Sequence, residues 1–139
     1  MIDQQHLERA KIDAKAATDF VRAGAQTAIL INGGAATAIL ALVGSIAHDT
    51  GAGKTVLPLI SFPLTIYALG VLFAACAFLP MSRALESYMT NWEHGGKSEF
   101  GIRGERFWHV GLALIAAALF CFIFASIYVA YILGHIELP

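Results

Sequence analysis

The chain has 139 residues, of which 58% are hydrophobic and 14% are charged, and its formal net charge is −1. Soluble domains are only about half apolar, so this composition favours the lipid bilayer as the solvent. The near-zero net charge gives no indication of a nucleic-acid partner. More than twenty residues of mixed charge precede the first apolar run, so no cleavable secretory signal is expected. The two cysteines, Cys76 and Cys121, lie inside apolar runs, and no disulfide is expected.

A repeat of small and apolar residues organises the first third of the chain. These residues recur at alternating steps of three and four, which is the heptad spacing of packed helices. The members of this packing seam are Leu7, Ala10, Ala14, Ala17, Val21, Gly24, Ala28, Ile31, Ala35, Ala38 and Leu42. Charges such as Asp19 and Arg22 surround its first half, whereas residues 23–47 carry none. One helix is therefore predicted to rise from water, over residues 3–22, into a membrane span at residues 26–47.

The centre of this first span is rich in small residues. Gly34 and Ala38 form a small-xxx-small pair, which lets helix backbones approach closely. Asn32 is the one strongly polar side chain there, and an unpaired amide in hydrocarbon is costly. Asn32, together with Thr37, is predicted either to make a polar contact across a helix interface or to line a pore. Residues 30–36 resemble a stretch found in small bacterial membrane proteins, and this resemblance implies no particular function.

Two further apolar runs predict two more spans, at residues 56–81 and 107–133. Pro58 lies near the first turn of the second span, and Pro63 follows one turn later, where a kink is expected. After residue 81 the apolar residues again step by three and four, so residues 82–106 are predicted as a cytoplasmic helix followed by a polar connection. The fold class is therefore an all-α membrane protein with three transmembrane helices. Its first two helices are expected to extend into the cytoplasm as an antiparallel hairpin.

The basic residues indicate an orientation. Eight of the nine lie before the first span or between the second and third, and Lys54 alone lies on the other side. Cytoplasmic loops carry the excess of lysine and arginine. The chain is therefore expected to be a multi-pass protein of the bacterial inner membrane, with its N-terminus in the cytoplasm and its C-terminus outside.

Residue patterns for chemistry are few. Residues 48–55 superficially resemble a phosphate-binding loop, but its first glycine is replaced by His48 and the flanking segments are spans. No catalytic constellation is found, so no enzyme activity and no cofactor are predicted. The topology does place His48 and His135 at the same side of the membrane, where two histidines could ligate a haem.

Three functions remain open from the sequence. The first is a structural or interaction subunit that self-assembles or joins a larger membrane complex, because small-residue seams are present and intramembrane charge is absent. The second is an oligomeric pore, channel-like or holin-like, lined by Asn32 and Thr37. The third is a haem-binding electron-transfer subunit.

Overall fold

The computed structural model describes the backbone of residues 4–50, 53–93 and 98–135. It describes side chains at residues 8, 11–12, 15–45, 58–91 and 99–135. Within these ranges the chain forms four α-helices and no strand: α1 (Gln4–Thr50), α2 (Gly53–Cys76), α3 (Phe78–Glu93) and α4 (Ser98–His135). The prediction of an all-helical protein is confirmed for this part of the chain.

Three stretches of helix are long and apolar enough to cross a membrane. They are Lys15–Ser45 in α1, Pro58–Asn91 across α2 and α3, and Glu99–His135 in α4. Each exceeds the roughly 20 residues that a hydrocarbon core requires. Large apolar side chains cover the outside of the bundle, and Leu30, Phe120 and Ile127 are 74%, 71% and 65% exposed. The prediction of three helices able to span a membrane is confirmed.

α1 is a single helix that is 47 residues long. At 1.5 Å per residue it extends for roughly 70 Å, well beyond a hydrocarbon core of roughly 30 Å. Its charged first part and its uncharged second part are both rich in alanine, the best helix former. No proline occurs in residues 4–50, so α1 runs without interruption through the change of composition.

α2 and α3 are separated by one residue, Ala77. Pro80 accounts for this break, because its ring nitrogen has no hydrogen to donate to the carbonyl of Cys76, the last residue of α2. The flanking bonds persist: the amide of Ala77 donates to Phe73 at 3.0 Å, and the amide of Met81 donates to Ala77 at 3.3 Å. α3 therefore continues the path of α2 after a local interruption.

α4 runs antiparallel to α2 and α3 along their combined length. The contacts progress in one register: Ser126 meets Tyr67 on α2, and Gly111 and Gly104 then meet Met81 and Tyr88 on α3. A Cβ atom at Gly104 would lie 3.1 Å from Tyr88 Cε1, and one at Gly111 would lie 2.7 Å from Met81 Cε. The two glycines thus allow the backbone of α4 to approach α3 closely.

The polar connection predicted near residues 98–106 is wrong, because these residues form the first turns of α4. Gly101 and Gly104 lie inside this helix and face Asn91 and Tyr88 of α3. Glycine in a helix costs about 1 kcal/mol relative to alanine. Here the close packing against α3 offsets that cost.

α1 packs antiparallel to α2, and both contact α4. The interior between these three helices has two apolar clusters. One contains the small residues Ala28, Ala74 and Ala118, which are fully buried. The other lies closer to the end of α1 and the start of α2 and contains mostly larger side chains: Ile39, Val43, Ile60, Tyr67 and Ala125.

Candidate functional site

Asn32 lies at the junction of α1, α2 and α4, and its side chain is fully buried. Its Nδ2 donates to the carbonyl of Ala28, one turn earlier in α1, at 2.9 Å. The same nitrogen donates to the carbonyl of Ala118 on α4 at 3.2 Å. Both amide hydrogens are therefore used, one inside α1 and one across the helix interface. Asn32 connects α1 to α4 in the middle of the apolar stretch of both helices.

Gly70 of α2 provides the space that Asn32 occupies. A Cβ atom at position 70 would overlap Asn32 Oδ1 and would lie only 2.7 Å from Asn32 Cγ. Asn32 Oδ1 is buried and has no hydrogen-bond partner with an N–H or O–H group. Because Gly70 carries no Cβ atom, its backbone can lie close to this amide. Asn32 and Gly70 therefore form a complementary pair that fixes the register of α1 on α2.

A second polar contact lies between α2 and α4. The hydroxyl groups of Tyr67 and Ser126 are 2.9 Å apart, and Ser126 Oγ donates to the carbonyl of Phe122 at 2.7 Å. Because the serine hydrogen is used in that bond, Tyr67 must donate to Ser126. Tyr67 is 2% exposed, so its hydroxyl needs this partner. Both described polar contacts inside the bundle therefore end on α4.

The residues of the packing seam predicted for α1 differ in how deeply the structure buries them. Val21 and Ala28 are buried, Ala17, Gly24, Ile31 and Ala35 are partly buried, and Ala38, Leu42 and the paired Gly34 are exposed. The buried stripe of α1 instead consists of Val21, Ala25, Ala28, Asn32, Ile39 and Val43. The side chains of Leu7, Ala10 and Ala14 lie outside the described residues. Packing by the exposed seam members stays a prediction.

Thr37 lies on the outside of α1, away from Asn32. Its hydroxyl donates to the carbonyl of Gly33 in the same helix at 2.9 Å. Asn32 and Thr37 are thus not brought together in a single chain. Whether they line a pore in an assembly stays a prediction.

The two histidines that could ligate a haem, His48 and His135, are only partly described. His135 Nδ1 lies 2.8 Å from the carbonyl of Tyr131, and the centroids of the two rings are 4.3 Å apart with their planes tilted by 35°. The side chain of His48 lies outside the described residues, as do the other side chains of residues 48–55, which resemble a phosphate-binding motif. The backbone of this segment is described except at residues 51–52: residues 48–50 end α1 and residues 53–55 begin α2. Within the described part of the chain, no group of three or more histidine, cysteine, aspartate or glutamate residues could hold a metal ion. Cys76 and Cys121 are free thiols.

Sequence reasoning missed Gly70 and the Tyr67–Ser126 pair. Gly70 is one glycine in a long apolar run, and Ser126 is one hydroxyl in another. The available signal was that each of these runs contains few polar or glycine residues, so each exception marks a contact candidate. Local patterns do not show which exceptions meet across helices.

Comparison with known proteins identifies no relative of this chain. The chain matches no protein-family model, no curated protein and no solved structure. Its function must be argued from the geometry above.

Proposed function

We propose that this chain is a structural subunit of the bacterial inner membrane that assembles with copies of itself through the outer face of α1. The supporting observation is that, apart from Leu30, the exposed residues of this face are small, whereas the outer faces of α2 and α4 carry large ones. The exposed residues of the α1 outer face are Ala23, Thr27, Leu30, Gly34, Ala38, Ala41 and Ser45. In a helix of 3.6 residues per turn they lie on the side opposite Asn32.

The α1 outer face suits close helix packing in lipid. A Cβ atom at Gly34 would meet nothing within 4 Å, so the groove beside it is open. The hydroxyls of Thr27 and Ser45 bond to carbonyls of their own helix at 2.8 Å, which leaves little polar surface exposed. Helix association in membranes depends on such small residues because lipid chains are as apolar as leucine. A second α1 helix is therefore the partner that this face fits best.

The burial of Asn32 supports a structural role over the pore alternative. A pore lined by Asn32 requires its amide to face a water-filled path, whereas both amide hydrogens bond to carbonyls of the same chain. The haem alternative has no comparable support from the described residues. Docking as an accessory subunit through the α1 outer face is the other form of the structural proposal.

We place the first part of α1 and α3 in the cytoplasm, in line with the excess of basic residues there. α1 contacts α3 as well as α2. Because α1 is continuous and antiparallel to α2, and α3 continues the path of α2, the first part of α1 lies alongside α3. This supports the cytoplasmic hairpin as part of the proposal.

The proposal is tested by the mass of the detergent-extracted protein. Wild-type protein is expected to be a small oligomer, and Gly34→Leu to shift it toward the monomer because a leucine holds the two backbones apart. Ala116→Leu is the matched control, since Ala116 is exposed on α4. A wild-type monomer, both in mild detergent and after cross-linking in the membrane, would reject self-assembly. Co-purification of a second protein that Gly34→Leu removes would identify the accessory-subunit form instead.

A further inference from the structure

A cleft of about 520 Å³ lies between α1, the start of α3 and α4. Its floor is apolar and includes Val21, Phe78 and Met81, of which Val21 and Met81 are buried. The volume lies in the range of about 300 to 1,000 Å³ that small-molecule sites occupy. The cleft lies where α1 and α4 both flank the start of α3.

The rim of the cleft is polar and positively charged. Arg22 and Gln26 lie one turn apart on α1, and Trp108 lies across from them on α4. Arg22 makes no ion pair with any described residue, although Asp19 is only three positions away. None of the described residues that line the cleft is acidic. The guanidinium group of Arg22 is therefore available to an anionic group.

The cleft lies at the boundary between the polar and apolar parts of the bundle. Arg22 is the last charged residue of α1 before its uncharged run, and Arg106 is the last charged residue of α4 before its apolar run. Trp108 follows Arg106, and tryptophan is enriched at the level of lipid headgroups. Asn32 lies ten residues beyond Arg22, which is roughly 15 Å deeper along α1. The rim and the floor thus face the two chemical parts of a membrane lipid.

We infer that this cleft binds one phospholipid. Arg22 and Gln26 hold the phosphate diester of the headgroup, and an acyl chain lies along Val21, Phe78 and Met81. Arginine suits this role because its planar group donates two parallel hydrogen bonds to phosphate oxygens. A free phosphate ion offers the same oxygens but leaves the apolar floor uncovered, so the lipid is the better occupant. This inference rests on the membrane insertion proposed above. Insertion is tested independently by the cysteine labelling described in the Discussion.

The test uses the fluorescence of Trp108. The chain has two tryptophans, so Trp92→Phe leaves Trp108 as the only one. This variant is titrated in detergent micelles with phosphatidylglycerol brominated near the headgroup end of its acyl chains, since bromine quenches tryptophan at contact. Quenching is expected to saturate. Arg22→Gln should raise the lipid concentration for half-quenching by about tenfold or more, because a charged hydrogen bond is lost.

Matched variants separate binding from general effects. Arg83→Gln removes another exposed arginine, which pairs with Glu86 outside the cleft, and should leave the titration unchanged. Ser82→Leu places an apolar side chain at the cleft and should weaken saturable quenching without removing a charge.

Three results would overturn the assignment. If quenching rises without saturation, and does so equally with and without Arg22→Gln, the brominated lipid only partitions into the micelle. Equal affinity for brominated diacylglycerol, which lacks phosphate, shows that the headgroup is not recognised. Protection by excess inorganic phosphate without any saturable lipid binding shows a site for a free anion.

Discussion

The amide of Asn32 on α1 occupies space that the absence of a side chain at Gly70 leaves on α2. Neither residue fits without the other: a larger residue at position 70 excludes the amide, and a smaller residue at position 32 leaves a void beside the glycine. This pair joins α1 to the next helix of the chain, α2, at the middle of the apolar bundle.

Gly70→Ala should destabilise the bundle by roughly 1 to 3 kcal/mol, because the new methyl group overlaps the Asn32 amide. The measurement is the unfolding of detergent-solubilised protein, followed by circular dichroism. Gly24→Ala is the control, since a Cβ atom at Gly24 meets nothing within 4 Å. In an Asn32→Ala background the penalty of Gly70→Ala should shrink. Full additivity of the two changes would show that the contact does not exist.

Asn32→Leu should cost about 0.6 to 2 kcal/mol, the scale of interhelical hydrogen bonds in membranes, because the bond to Ala118 is lost. Thr37→Val should change stability little, since its hydroxyl bonds within α1 and is exposed. Wild-type protein in liposomes should release no trapped ions. Ion release that disappears in Asn32→Leu, with the oligomer intact, would replace the structural proposal by the pore.

Tyr67→Phe should destabilise the bundle by roughly 0.6 kcal/mol and at most about 1.7 kcal/mol, because only the bond to Ser126 is removed. Ser126→Ala should cost more, since it leaves the buried Tyr67 hydroxyl without an acceptor. In the double variant the two effects should be less than additive. Chemical unfolding of the three variants gives the coupling directly, and a coupling of zero would contradict the assigned bond.

Leucine at Ala17 should destabilise the protein by roughly 1 to 3 kcal/mol if α1 packs along α3 as a cytoplasmic hairpin. Ala16→Leu should have little effect, because Ala16 is exposed whereas Ala17 is partly buried. Thermal unfolding in detergent compares the two. Equal tolerance at both positions would show that this part of α1 has no helical partner.

The orientation is tested by cysteine labelling in a Cys76→Ala, Cys121→Ala background. In intact cells Lys54→Cys should react with a membrane-impermeant thiol reagent, and Lys97→Cys should not, because basic residues accumulate on the cytoplasmic side. Reaction at position 97 alone would show that the orientation is the opposite of the one expected. Reaction at both positions without membrane association would reject insertion.

The helices were predictable because long apolar runs and alanine-rich segments admit little else. It was harder to predict which side of α1 faces the other helices. A strict heptad selects Gly24, Ile31 and Ala38, whereas α1 buries Ala25, Asn32 and Ile39. Both sets repeat every seven residues, and only the position of α2 and α4 decides between them. Hydropathy does not decide between them either, because in lipid the outer face of a helix is as apolar as the face that packs inside the bundle.

The partners of Asn32 were beyond sequence reasoning for a related reason. A buried asparagine signals that some acceptor is near, and any backbone carbonyl can serve. Ala118 contributes its carbonyl, which every residue has, and Gly70 contributes an absent side chain. Neither leaves a distinctive mark in the sequence.

The convergence of polar contacts on α4 has a consequence for biogenesis. The carbonyl of Ala118 lies 86 residues after Asn32, and Ser126 lies 59 residues after Tyr67. At about 5 to 20 residues per second, the ribosome adds Ala118 roughly 4 to 17 s after Asn32. During that interval the nascent chain must hold Asn32 and Tyr67 without their final partners on α4. The insertion machinery or neighbouring lipids must shelter these groups until the last helix arrives.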